Sequence, residues 1–84
     1  MDKIGKTVQT FILKEFLPGE EPELLTDSVP LITGGILDSL STLKLVTFLE
    51  EQFGIELQAH EVDVDHLNTI ADITSLIQGK LHMG

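Results

Sequence analysis

Residues 34–45, Gly34-Gly35-Ile36-Leu37-Asp38-Ser39-Leu40-Ser41-Thr42-Leu43-Lys44-Leu45 (GGILDSLSTLKL), decide how this chain is read. Two glycines and an apolar pair deliver an Asp-Ser dipeptide into a segment that continues without Gly or Pro to Phe53, where Gly54 of FGIEL supplies a stop. Asp38 is a favoured N-cap, so a helix is predicted over about 38–53. At about 100° per residue, Leu45, Val46, Leu49 and Phe53 share one sector and are expected to be core. Leu40, Leu43 and Thr47 fall on the opposite side with Lys44 beside them, a docking strip that starts one residue after Ser39 and is flanked by Glu50 and Glu51. The competing reading of these leucines is ordinary scattered surface residues.

Outward from this segment, Ile4, Val8, Phe11, Ile12 and Phe16 recur at helical spacing until Pro18-Gly19, predicting a first helix over about 3–17. Residues 18–37 hold all three prolines and the GEEPE run, but also Leu24, Leu25, Val29, Leu31, Ile32, Ile36 and Leu37, so they read as a long loop pinned by its own apolar side chains. A short helix or irregular turn is expected over about 60–66. A last helix over about 69–79 opens on Thr69 with Asp72 three residues on and is expected to close at Gly79. No strand-like alternation of useful length and no repeat interrupts this pattern. One domain spanning 1–84, all-α, a small helical bundle, is the expectation.

The composition narrows the function. Fourteen carboxylates face five lysines and no arginine, a formal charge of −9. Without the guanidinium suited to phosphate backbones, nucleic-acid binding is excluded, and partners carrying basic patches are expected. There is no cysteine, so any thiol chemistry needs a thiol from outside the chain. The N-terminal segment lacks the apolar core of a signal peptide, and no apolar run approaches the roughly 18 residues of a membrane span. A cytoplasmic monomer is expected.

Ser39 sits beside a carboxylate with no base to activate it. A nucleophilic serine needs a base within hydrogen-bond reach, but His60, His66 and His82 lie downstream without a context marking any as a partner, and there is no GxSxG elbow. The hydroxyl makes better sense as an attachment point, since a phosphodiester at a helix start meets unpaired amides and the positive end of the helix dipole. The stretch EVDVDHLNTIAD places Glu61, Asp63, Asp65, Thr69 and Asp72 in a pattern like a calcium loop, without its glycine or its closing glutamate. A solvated acidic face, with at most weak binding of divalent cations, is the preferred reading.

The longer stretch GGILDSLSTLKLVTFLEEQFGIEL resembles the acyl carrier and peptidyl carrier protein family, and the match extends over nearly the full chain. That resemblance implies a four-helix bundle with a long first loop and a short third helix. It implies that Ser39 receives the 4′-phosphopantetheine arm of coenzyme A, that Asp38 helps place metal and coenzyme A during transfer, and that Leu40 contacts partner enzymes. It further implies a non-catalytic protein that holds acyl or aminoacyl groups as thioesters. Its partners would be a phosphopantetheinyl transferase and loading ligases or synthases with basic docking surfaces. Ser41 and Lys44 stand where fatty-acid carriers typically have acidic residues, and DVDHLNTIADITSLI is more similar to the ending of aminoacyl, D-alanyl or peptidyl carriers. A stand-alone specialised carrier is therefore expected, its cargo an amino acid, an aryl acid or an unusual fatty acid. The alternative is an acidic helical interaction module that uses Leu40 and Leu43, with Ser39 only a cap residue.

Overall fold

The computed structural model describes the backbone of residues 1–83 and the side chains of residues 1–82. Four helices follow in order: α1 (Lys3–Phe16), α2 (Ser39–Phe53), α3 (Val64–Leu67) and α4 (Ile70–Met83). Each start has a local cause. Asp2 accepts the Gly5 amide at 2.8 Å, Asp38 the Ser41 amide at 2.7 Å and Asp63 the His66 amide at 3.0 Å. The Thr69 hydroxyl accepts the Asp72 amide at 3.0 Å, so four capping side chains satisfy first-turn donors that a helix leaves unpaired.

The core is aliphatic throughout. Val8 and Ile12 of α1 meet Leu45 and Leu49 of α2, Leu67 of α3, and Ile70, Ile73 and Ile77 of α4, and all of these are fully buried. Each such side chain contributes about 1.5–3 kcal/mol on leaving water. Leu25, Leu31 and Leu37 are buried with them, so the long segment between α1 and α2 is part of the core rather than a free connection. It carries a 3-10 turn at Pro22–Leu24, and the Gln9 amide donates to the carbonyls of both Pro22 and Leu25 at 2.9 Å.

The far end of the same segment hangs from the α3–α4 junction. The carbonyl of Asn68 accepts the Leu31 amide, and its side-chain oxygen accepts the amides of Ile32 and Thr33 at 2.9 and 3.0 Å. In return Asp27 accepts the Ala71 amide at 3.0 Å. These bonds set the place from which α2 departs.

Several boundaries differ from expectation. Gly79 does not close the last helix, which continues to Met83. Its φ is not positive, and Lys80 just beyond it pairs with Glu61, which favours another helical turn over a stop. The expected helix over 60–66 is two pieces, a 3-10 turn at Ala59–Glu61 and then α3. Glu61 closes the first piece by accepting the Gln58 amide at 2.9 Å, and Asp63 opens the second. Helix α1 ends at Phe16, with the Leu17 amide capping back to Ile12 and Leu13. Phe53, expected in the core, is half-buried at its edge.

Candidate functional site at the start of helix α2

The two glycines of the deciding stretch act for different reasons. A Cβ on Gly34 would lie 2.2 Å from the Pro30 carbonyl oxygen, so the backbone passes too close there for any side chain. Gly35 instead has φ +82°, a left-handed conformation that L-residues adopt with strain. The turn closes with the Gly35 amide on the Ile32 carbonyl at 3.1 Å and the Leu37 amide on the Leu31 carbonyl at 2.8 Å. Leu37 is driven into the core, and the next residues emerge at the surface.

Asp38 then holds the helix start. Besides its bond to Ser41, its carbonyl accepts the Thr42 amide at 2.9 Å and the Thr42 hydroxyl at 2.7 Å. The backbone and side-chain hydrogen bonds from Ser41 hold the Asp38 carboxyl below the usual aspartate range, so it is anionic at neutral pH. Ser39 is the first residue of α2 and is exposed. Among the described residues its hydroxyl makes no hydrogen bond, to a histidine or to anything else. The amides of Ser39 and Leu40, in the first turn, have no carbonyl partner within the helix.

Beside Ser39 runs a groove of about 650 Å³, walled by Ile32 and Leu37 from the loop, Thr42 and Leu43 from α2, and Val62, Asp63 and Val64 from the segment around the start of α3. At its far wall the Asp63 carboxylate lies 2.7 Å from His66 Nδ1. The imidazole bond chiefly holds the Asp63 carboxyl low, and the same bond raises the His66 pKa. Leu40 and Leu43 remain 65% and 59% exposed, and Val64 adds a third exposed apolar side chain across the groove. Lys44, Thr47 and Glu51 are also exposed, with the Thr47 hydroxyl donating back to the Leu43 carbonyl at 3.0 Å.

Glu50 behaves differently from the flanking recognition residue expected. It is half-buried, and its carboxylate accepts the Leu57 amide at 2.9 Å, tying α2 to the extended chain after Gly54. Of the 62–64 wall, the sequence singled out only Asp63, and that as one acid of the calcium-loop-like pattern. The one signal for the wall itself is the alternation Val62-Asp63-Val64, which places two apolar side chains around a capping aspartate. Among the described residues, no three potential ligands converge to hold a metal ion, and two of the four acids of the calcium-loop-like stretch serve local bonds: Glu61 with Gln58 and Lys80, Asp63 with His66.

Comparison with known proteins meets this geometry. A family model described as a phosphopantetheine attachment site matches residues 12–77. The acyl carrier proteins of Rhodopseudomonas palustris (strain TIE-1) and Nitrobacter winogradskyi are each 32% identical over 78 residues, covering 93% of this chain and 94% of theirs. That of Bradyrhizobium sp. (strain ORS 278) is 31% identical over the same span. A chain from a solved structure described as "Crystal structure of FAD-dependent dehydrogenase" superposes with TM-score 0.75 and 33% identity, covering 83% of this chain and 97% of that one. With a phosphopantetheine-attachment domain over most of its length and an all-helical bundle to match, the chain belongs to the acyl carrier protein family and is a carrier, not a catalyst.

Proposed function

We propose that Ser39 is the residue modified with 4′-phosphopantetheine and that the chain presents acyl or aminoacyl groups to the enzymes of a lipid or secondary-metabolite pathway. The observation that carries this reading is the exposed, unbonded Ser39 hydroxyl at the first position of a helix whose flanking aspartate is already committed to a cap. The group fits what surrounds that hydroxyl: a phosphodiester there meets the first-turn amides and the positive end of the helix dipole, and the neighbouring groove offers a mostly apolar wall for an extended arm. When bound, the group supplies the thiol this cysteine-free chain lacks, on a flexible tether that holds acyl groups as thioesters and raises their local concentration at a docked enzyme.

The chain's own residues do the rest. Asp38 fixes the first turn and contributes a charge beside Ser39 for the metal and coenzyme A that a transferase brings. Leu40, Leu43, Lys44 and Thr47 form the surface on which the transferase and the loading ligases or synthases dock, with Glu51 at its lower edge. Val64 extends that surface across the groove. Glu50 supports it by holding the end of α2.

Incubation with coenzyme A, Mg²⁺ and a broad-specificity phosphopantetheinyl transferase, followed by intact mass, tests the attachment site. Wild type gains one phosphopantetheine and Ser39→Ala gains none while keeping its melting temperature. An adduct on Ser39→Ala, or none on wild type when a control carrier is loaded, overturns the assignment.

A further inference from the structure

A second surface, remote from Ser39, is built with the opposite charge. Lys3, Lys6 and Lys14 fall within one face of α1, where about 100° per residue brings positions three, eight and eleven apart to the same side. They stand on the rim of a groove of about 690 Å³ between α1 and the later half of α2. Its base is aromatic: Phe11 of α1 and Phe48 of α2 stack with ring centroids 4.0 Å apart and planes 13° from parallel, both only half-buried. Glu15 is the single carboxylate on the lining. Among the described residues, none of the three ammonium groups lies within salt-bridge distance of a carboxylate, whereas Lys80 on α4 is paired with Glu61.

The charge distribution makes this concentration informative. Residues 1–16 set three lysines against Asp2 and Glu15, while the remainder of the chain sets two lysines against twelve carboxylates. A segment with three unpaired cations around an aromatic floor, in so acidic a protein, is complementary to an amphipathic anion. We infer that the α1–α2 groove lined by Lys3, Lys6, Lys14, Phe11 and Phe48 is a second docking surface, and that its occupant is an acidic segment of a partner protein with apolar or aromatic anchor side chains.

The charges choose this occupant over others. A membrane is disfavoured because the strongly acidic remainder of the chain is repelled by anionic lipid. A second copy of this chain brings acidic residues too, but each copy also brings its full charge of −9. Phe48 lies nine residues along α2 from Ser39, roughly 14 Å of helix rise, so an occupant here leaves the start of α2 open. The two surfaces can then be engaged together, one holding the carrier and the other receiving the enzyme that acts. This inference does not rest on the modification of Ser39.

The experiment uses the full chain, isotopically labelled, titrated with a synthetic helical peptide bearing glutamates on one face and leucine and phenylalanine on the other. Amide and aromatic shifts are expected at Lys6, Phe11, Lys14 and Phe48, with affinity that falls as salt rises. Lys6→Glu/Lys14→Glu, a double change of exposed side chains, should weaken binding about tenfold or more while Ser39 loading stays at the wild-type rate. A lysine-faced version of the peptide should produce no shifts in the groove. The inference is overturned if the acidic peptide leaves these resonances unmoved, or if the double variant binds it as well as wild type does. It is equally overturned if the groove responds to phosphatidylglycerol vesicles or to raised protein concentration, with dimer in sedimentation, rather than to the peptide.

Discussion

Helices α2 and α4 begin with the same local device and end up in opposite surroundings. In each, a capping side chain takes the amide three residues on, Asp38 from Ser41 at 2.7 Å and Thr69 from Asp72 at 3.0 Å. Yet the first residue of α4, Ile70, is fully buried and the Ala71 amide is taken up by the Asp27 carbonyl, while the first residue of α2, Ser39, is exposed. Capping alone therefore does not make a site. The start of α4 is closed by packing and serves stability, and the start of α2 is left open.

The sharpest way to break this comparison is to truncate each surface in turn. Ile70→Ala should cost about 2–5 kcal/mol in denaturant unfolding, because it removes a fully buried side chain and leaves a cavity. Leu40→Glu and Leu43→Glu should fall within about 0.5 kcal/mol of wild type, as exposed positions do, while slowing loading by the transferase. A large loss of stability in either glutamate variant would mean that the open end is core after all.

Next in size is Gly34→Ala. Its Cβ would sit against the Pro30 carbonyl oxygen at 2.2 Å, backbone that cannot swing aside, so the turn feeding α2 must shift at a cost of about 1–3 kcal/mol. Loading should slow as well, since Ser39 is placed by that turn. Unchanged melting with unchanged loading would show that the close approach is unimportant.

The caps themselves give a smaller and more selective effect. Thr69→Ala should lower stability by about 1 kcal/mol without altering loading. Asp38→Ala should lower the melting temperature too, and in addition slow loading, because its charge stands beside the hydroxyl proposed as the attachment point. Equal loading by the two variants would reduce Asp38 to a cap and nothing more.

The smallest effect is in the pH profile at the far wall of the groove. The Asp63 bond raises the His66 pKa, so the pairing stabilises the fold fully below the ordinary imidazole value and is lost as pH rises through the raised one. The Asp63 carboxyl is lowered, so its contribution is present above the ordinary aspartate value and is lost as pH falls through the depressed one. Stability from this pair should peak in the mildly acidic range between them. Imidazole resonances followed by NMR should show His66 titrating above its midpoint in the urea-unfolded chain, and Asp63→Asn should remove most of that difference, Glu61 and Asp65 supplying the rest.

What the sequence made legible was local. Helix α2 was readable because Asp38, an uninterrupted helical stretch and Gly54 all agree, and the same periodicity put Leu45 and Leu49 inside and Leu40 and Leu43 outside. The end of α4 was misread at Gly79 because the Lys80–Glu61 pairing that favours its continuation joins residues from separate segments. The role of Glu50 was missed for a similar reason, since its Leu57 partner lies beyond a helix stop. Neither groove could be read in advance: one needs Ile32 and Leu37 brought to Val62 and Val64, the other needs Phe11 brought to Phe48. GGILDSL pointed to Ser39 as the candidate, and tertiary packing supplied the walls beside it.

Asn68 gives the open end of α2 a mechanical property. The strand of loop that carries Leu31, Ile32 and Thr33 is suspended from this one residue, which itself caps the end of α3. The loop wall of the groove beside Ser39 and the wall at the start of α3 therefore share one anchor. Replacing Asn68 by Ala would remove the acceptor of two of those three amides, so the loop wall of the groove would lose most of its tie to the α3 wall.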